Sequence, residues 1–102
     1  MKKEEILKLK AKILSEEKRL EFFEDGGIKI ENVLNEEWLK KCRAAVNNFI
    51  EESRELKSSN IIFDIQQDHT KENPKLRRVS SPCDYNNDLW ELLTKGPIGD
   101  IA

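Results

Sequence analysis

The chain has little of the side-chain chemistry on which metal sites and disulfide frameworks depend. Its 102 residues include one histidine, His69, and two cysteines, Cys42 and Cys83. The cysteines have no CxxC spacing and no further partners, so neither a zinc knuckle nor a disulfide framework is indicated. His69 lies in a polar stretch, and we predict a solvated loop residue there. It is not expected to be a metal ligand or to form a catalytic Cys-His pair with Cys83.

Long apolar runs and an excess of basic charge are also missing. Hydrophobic and charged residues each make up 37% of the chain, and 18 basic against 20 acidic residues leave a formal charge of −2. No run approaches the roughly 18 apolar residues of a membrane span, and the N-terminus lacks the apolar core of a secretory signal. We therefore expect a soluble, cytoplasmic protein whose partners include neither nucleic acid nor a membrane.

One stretch matches the opening of a calcium-binding loop but not the rest of that motif. Asp84, Asn86 and Asp88 have the spacing that opens such a loop. Leu89 stands where the loop requires glycine, and Lys95 stands where it requires a bidentate glutamate. A loop that caps the following helix is the better interpretation.

The first 25 residues are predicted to be helical (1–25). Ser15 followed by two glutamates is a helix start signal, so one long helix and two short helices both remain open. Gly26 follows the last apolar pair, where a left-handed helix cap is expected. The apolar positions with helical spacing are Ile6, Leu9, Ile13, Leu20 and Phe23.

A turn and a strand are predicted next (26–34), followed by the main helix (35–57). Ile28 and Ile30 alternate with charged residues, which is typical of a half-buried strand. Asn35 is the expected N-cap, with two glutamates in the first turn. The apolar stripe of this helix is the most regular in the chain and includes Trp38, Leu39, Cys42, Ala45, Val46, Phe49, Ile50 and Leu56.

The next segment is predicted to hold strands and a loop (60–80). The strands are expected at 61–65 and 76–80, joined by an exposed polar connection that contains His69. Helices are predicted to follow (86–102). Asn86 or Asn87 would cap the first of them, and Gly96 and Pro97 would separate it from the second.

These elements predict an α+β fold in one segment, 1–102, with a core that is thin for the length. Ile98 and Ile101 begin an apolar stripe that does not complete a second turn. A helix of one turn is not stable alone. The sequence therefore reads as the opening part of a larger domain.

Two stretches resemble the N-terminal region of the phytanoyl-CoA dioxygenase family. They are FFEDGGIKIENVLNEEWLKKC, from Phe22 to Cys42, and LRRVSSPCDYNNDLWELLTKGPIGDI, from Leu76 to Ile101. The resemblance implies short elements that flank and begin a double-stranded β-helix, or jelly roll, truncated here before the barrel core. It also implies that a full-length relative uses Fe(II) and 2-oxoglutarate to hydroxylate a small organic substrate.

In that family the iron is held by two histidines and one carboxylate, which this chain cannot supply. The resemblance also places a basic residue that approaches 2-oxoglutarate in the second strand, and Arg78 is the closer match. Arg77 and Arg78 would point to opposite faces of a strand, so one could face inward. The alternative is that both are exposed or paired with carboxylates.

The expected function is thus that of an N-terminal fragment of a hydroxylase, catalytically incomplete alone, with no tightly bound cofactor. Its partner would be the missing C-terminal barrel, or a second copy through exposed apolar faces. The alternative is a small self-contained α+β protein-interaction module without enzymatic activity. Such a module would use the face of Trp38 or Trp90.

Overall fold

The computed structural model describes all 102 residues and shows a small α+β fold. Five α-helices and one two-stranded antiparallel sheet are present, and none of the helices is both long and apolar enough to cross a membrane. The elements are α1 (Lys3–Lys8), α2 (Glu16–Asp25), α3 (Glu36–Ser53), β1 (Phe63–Ile65), β2 (Leu76–Val79), a 3-10 turn (Pro82–Asp84), α4 (Asn87–Lys95) and α5 (Pro97–Ile101).

The N-terminal region forms two short helices rather than one. Ser15 caps α2, and its hydroxyl accepts a hydrogen bond from the backbone N–H of Lys18 (3.2 Å). Gly26 ends the helix in the left-handed conformation, with φ at 79°. Both signals were correctly predicted, because each depends on a local backbone requirement of the helix end.

The strand predicted within 26–34 is absent, and this prediction was wrong. The alternation is real, since Ile28 and Ile30 are half-buried while Lys29 and Glu31 are exposed and form an ion pair (3.3 Å). No neighbouring strand pairs with the segment, and Asn32 then turns the chain with φ at 55°. An extended segment without a hydrogen-bonded neighbour does not become a strand.

Helix α3 supplies most of the core. Asn35 caps it as predicted, accepting a hydrogen bond from the backbone N–H of Trp38 (2.9 Å). Ala45 and Phe49 are buried, and the ring of Phe49 meets that of Phe63 edge to face at 6.2 Å. The helix ends at Ser53, a turn earlier than predicted, and Val46 of the expected apolar stripe is exposed.

The two strands pair antiparallel with one irregularity. Asp64 lies opposite Arg78, and Ile65 lies opposite Leu76. Arg77 is therefore an extra residue on β2, which is a β-bulge. Both strands fall inside the predicted ranges and are shorter than predicted.

Helix α4 begins where the sequence indicated, because the side chain of Asn86 accepts a hydrogen bond from the backbone N–H of Leu89 (3.0 Å). Gly96 ends the helix, although its φ of −79° is not left-handed. Glycine is required there for a steric reason. A Cβ on residue 96 would collide with the backbone carbonyl of Leu92. Pro97 then opens α5, as predicted.

The molecule is elongated, with extents of 52 × 26 × 22 Å and a radius of gyration of 18.2 Å. A compact domain of this length has a radius of about 13 Å. The accessible surface is 8099 Å². That is roughly 2,000 Å² more than a compact monomer of this mass exposes.

Candidate functional site

The two arginines of β2 converge on one carboxylate. Nε of Arg78 donates to Oδ2 of Asp64 (2.9 Å), and Nε of Arg77 lies 3.8 Å from the same oxygen. The other oxygen, Oδ1, accepts a hydrogen bond from the hydroxyl of Ser59 (3.1 Å). The side chains of Arg77 and Arg78 are 57% and 73% exposed. We call Asp64, Arg77 and Arg78 the arginine cluster.

The bulge explains this geometry and corrects the expectation that the arginines point to opposite faces. In a regular strand, adjacent side chains alternate between faces. Here Arg78 pairs with Asp64 and Leu76 pairs with Ile65, so Arg77 has no partner of its own on β1. Arg77 and Arg78 therefore both reach Asp64. Neither arginine faces inward. The open alternative, exposed and ion-paired arginines, describes both of them.

A small apolar groove adjoins the arginine cluster. It has a volume of about 260 Å³ and lies between α3 and β2. Arg77 and Arg78 contribute to its wall. The apolar lining residues are Val46, Phe49, Ile50, Leu76 and Val79. An apolar pocket next to exposed cations can take a ligand with an apolar part and an anionic part.

His69 is not the solvated loop residue that the sequence predicted. Its ring is half-buried, Nδ1 accepts a hydrogen bond from the backbone N–H of Lys75 (2.8 Å), and Nε2 lies 2.9 Å from the carbonyl oxygen of Ser53. An acceptor at Nδ1 places the proton of the neutral ring on Nε2, which donates to Ser53. The histidine thus joins the end of α3 to the connection between the strands.

Two further contacts hold that connection in place. Nη1 of Arg54 donates to the carbonyl oxygen of Lys71 (2.6 Å). At its far end the ammonium of Lys75 forms a hydrogen bond with the carboxylate of Asp68. That hydrogen bond lowers the pKa of Asp68 from its ordinary value of 3.8. The connection is exposed over most of its length, as predicted, but it is tied to the helix.

A cavity of about 660 Å³ lies between the N-terminal helices and the end of α5. Ile28 and Ile30 line it together with apolar residues of α1 and α2. Arg19 lies in its wall and is 7% exposed. Its guanidinium donates to the carbonyl oxygens of Leu9 (2.8 Å) and Ile6, and it pairs with Glu16 (3.3 Å).

This arrangement makes Arg19 a cap for the end of α1. The last carbonyls of a helix have no partner within it, and a cation is favourable there. The N–H groups of Arg19 that face α1 therefore already donate hydrogen bonds within the protein. Arg19 was missed by the sequence analysis, although its spacing from Phe22 and Phe23 places it on the apolar face of α2.

The chain brings together no group of three or more His, Cys, Asp or Glu side chains that could hold a metal ion. Both nitrogens of His69 are engaged by backbone groups. Cys42 and Cys83 are free and half-buried, and the thiol of Cys83 lies 3.6 Å from the carbonyl oxygen of Leu89. These residues do not fit the iron site that the family resemblance implies.

The chain matches no protein-family model, no curated protein and no solved structure. The features that bear on function are the surfaces described above and the two stretches that resemble the phytanoyl-CoA dioxygenase family. Among these, the arginine cluster with its groove joins exposed charge to an apolar pocket.

Proposed function

We propose that this chain is the non-catalytic N-terminal segment of a phytanoyl-CoA dioxygenase-like hydroxylase, and that its apolar surfaces pack against the jelly-roll body of that enzyme. The observation that carries the proposal is the imbalance between core and surface. Three apolar side chains are buried, whereas eleven large apolar side chains are exposed. A self-contained domain buries most of its large apolar residues.

The exposed apolar residues cluster at the two ends of the chain. Leu9, Ile13, Leu20 and Phe22 lie on or beside the N-terminal helices, and Trp90, Leu93 and Ile98 lie on the C-terminal ones. The excess surface of roughly 2,000 Å² exceeds what one partner contributes to a standard interface, about 800 Å². A large folded body is therefore the kind of partner that fits.

Under this proposal, Fe(II) and 2-oxoglutarate bind in the body, and a cytoplasmic location is inferred for the whole enzyme. Arg78 is the residue proposed to approach the 2-oxoglutarate carboxylate. It donates to Asp64 through Nε, which leaves its two Nη groups available to an anion. Bidentate binding of a carboxylate is the contact that a guanidinium makes best.

The packing part of the proposal is tested on the chain alone by sedimentation velocity and near-UV circular dichroism. We expect association that grows with concentration, because uncovered apolar faces drive it. Leu20→Ser with Phe22→Ser should reduce that association. The matched control, Asn48→Ser with Gln67→Ser, changes exposed uncharged side chains and should leave it unaltered. Cooperative unfolding of a stable monomer with an intact near-UV signal would favour the self-contained interaction module instead.

The hydroxylase part has a separate test. The coding sequence beyond Ala102 is read for an in-frame His-x-Asp and a later His, which the family resemblance requires. A stop codon with no such remnant downstream would remove the support for iron chemistry. The chain alone is expected to form no succinate from 2-oxoglutarate with iron, and sustained turnover would contradict its non-catalytic role.

A further inference from the structure

The two outer edges of the β-hairpin differ. On β1, the outward backbone N–H of Phe63 donates to Oδ1 of Asn60 (2.7 Å), and its carbonyl accepts from the backbone N–H of Asn60 (2.9 Å). The outward N–H of Ile65 donates to the hydroxyl of Ser59 (3.0 Å). The residues before β1 thus satisfy its outer edge.

On β2 the outward backbone groups of Val79 are open. The backbone N–H of Ser80 donates to the carbonyl of Ile62 (2.8 Å), and Val79 lies opposite Phe63. In an antiparallel ladder, pairs with and without hydrogen bonds alternate, so the N–H and C=O of Val79 point away from β1. No other strand and no loop of the chain bonds to them. An unpaired strand edge is a template for another strand.

The surface beside this open edge is both apolar and cationic. Val79 and Leu76 line the 260 Å³ groove against α3. Arg77 and Arg78 stand in the wall of the groove, and Asp64 is the one carboxylate that pairs with them. Two guanidinium groups against one carboxylate leave a positive charge at the edge.

We propose that the outer edge of β2 binds an extended, acidic segment of a protein partner, which adds to the hairpin as a third strand. Backbone hydrogen bonds to Val79 supply the pairing, an apolar side chain enters the groove, and acidic side chains pair with Arg77 and Arg78. A two-stranded hairpin is marginally stable, so a third strand also stabilises the sheet. The inference does not depend on the hydroxylase proposal, and it assigns Arg78 to a peptide carboxylate instead of 2-oxoglutarate.

The test uses the whole chain and a labelled synthetic peptide, Thr-Glu-Val-Glu-Val-Glu-Thr, with binding measured by fluorescence anisotropy. A peptide with lysine in place of each glutamate is the matched control. We expect the glutamate peptide to bind at least about tenfold more tightly, because only its charge complements the arginines. Binding should slow hydrogen exchange at the amide of Val79 and leave that of Phe63 unchanged.

Protein variants test the same surface from the other side. Arg77→Gln with Arg78→Gln should weaken binding by about tenfold. The control, Lys40→Gln with Lys57→Gln, removes the same charge from two exposed lysines that form no ion pair. Its affinity should equal that of the unaltered chain. Far-UV circular dichroism verifies that each variant is folded, and the peptide comparison needs no variant.

Four results would each overturn the proposal. The first is that the folded chain does not bind the glutamate peptide. The second is that the peptide binds without slowing exchange at the amide of Val79. A third is protection of Val79 that rises with protein concentration in the absence of peptide, since a second copy would then occupy the edge. The fourth is equal arginine-dependent binding of a single-stranded oligonucleotide, since charge alone would then explain the affinity.

Discussion

At the scale of single residues, His69, Arg19 and Arg54 each bond to backbone groups far away in sequence. His69 reaches the end of α3 across 16 residues, and Arg19 reaches the end of α1 across 10 and 13 residues. Both side chains bond to carbonyl oxygens at or just beyond a helix end, where the hydrogen-bond ladder of the helix stops. Removing either side chain removes hydrogen bonds between part-buried groups, so both residues are expected to contribute to stability. The carbonyls of Ile6 and Ser53 would keep the backbone N–H groups of Leu9 and Leu56 as partners.

His69→Ala is expected to lower the free energy of unfolding by about 1–3 kcal/mol, because it removes two hydrogen bonds from half-buried groups. Urea unfolding measures the change, and hydrogen exchange at the amide of Lys75 should become faster. Gln67→Ala is the control, since Gln67 is an exposed neighbour whose side chain forms no hydrogen bond within the chain. Equal stability of the His69 and Gln67 variants would show that the histidine contacts are unimportant.

At the scale of elements, helix starts were predictable and strand pairing was not. Ser15, Asn35 and Asn86 each accept a hydrogen bond from the backbone N–H three residues ahead. That contact is local, so the sequence signal is sufficient. The alternation at Ile28 and Ile30 is equally clear, but a strand also needs a neighbour, which lies elsewhere in the sequence or is absent.

Asn35→Ala tests the cap of the main helix. The substitution removes the acceptor for the N–H of Trp38, and it should lower the free energy of unfolding by about 0.5–2 kcal/mol. Urea unfolding followed by helical circular dichroism measures the change. Asn48→Ala is the control, because it replaces an exposed asparagine inside the same helix and should be neutral or slightly stabilising. A destabilisation as large in the control would remove the cap as the explanation.

The bulge at Arg77 shows where local reasoning about a strand fails. The residue count between paired positions differs between β1 and β2, and neither strand alone reveals it. Sequence reasoning therefore found Arg78 as a candidate site residue and gave it the wrong geometry relative to Arg77. It also missed the open edge at Val79, because the closure of the opposite edge by Asn60 depends on the folded turn.

At the scale of the whole molecule, the elongated shape follows from where the apolar side chains lie. Contacts concentrate between α3, the hairpin and α4, whereas the N-terminal helices extend away from this core. Covering the apolar surface of such an extended arm with another surface is favourable, by about 25 cal/mol for each Å² of apolar area buried.

Small-angle X-ray scattering at low concentration tests this shape. The monomer is expected to show a radius of gyration near the 18.2 Å of the structure. A compact domain would give about 13 Å, and the chemically unfolded chain about 30 Å. The chain in denaturant is the control for the upper value. A native radius near that of a compact domain would mean that the N-terminal helices fold back onto the core.

Local signals in the sequence were sufficient for the α+β class, the helix starts, the glycine cap of α2 and the approximate positions of both strands. These depend on contacts within a few residues, such as a side-chain oxygen that accepts a nearby N–H. The folded structure was needed to reveal the unpaired state of segment 28–30, the bulge at Arg77, the role of His69 and the open edge of β2. Each of these depends on which distant backbone groups meet, and hydrogen-bond partners far apart in the chain leave no local pattern in the sequence.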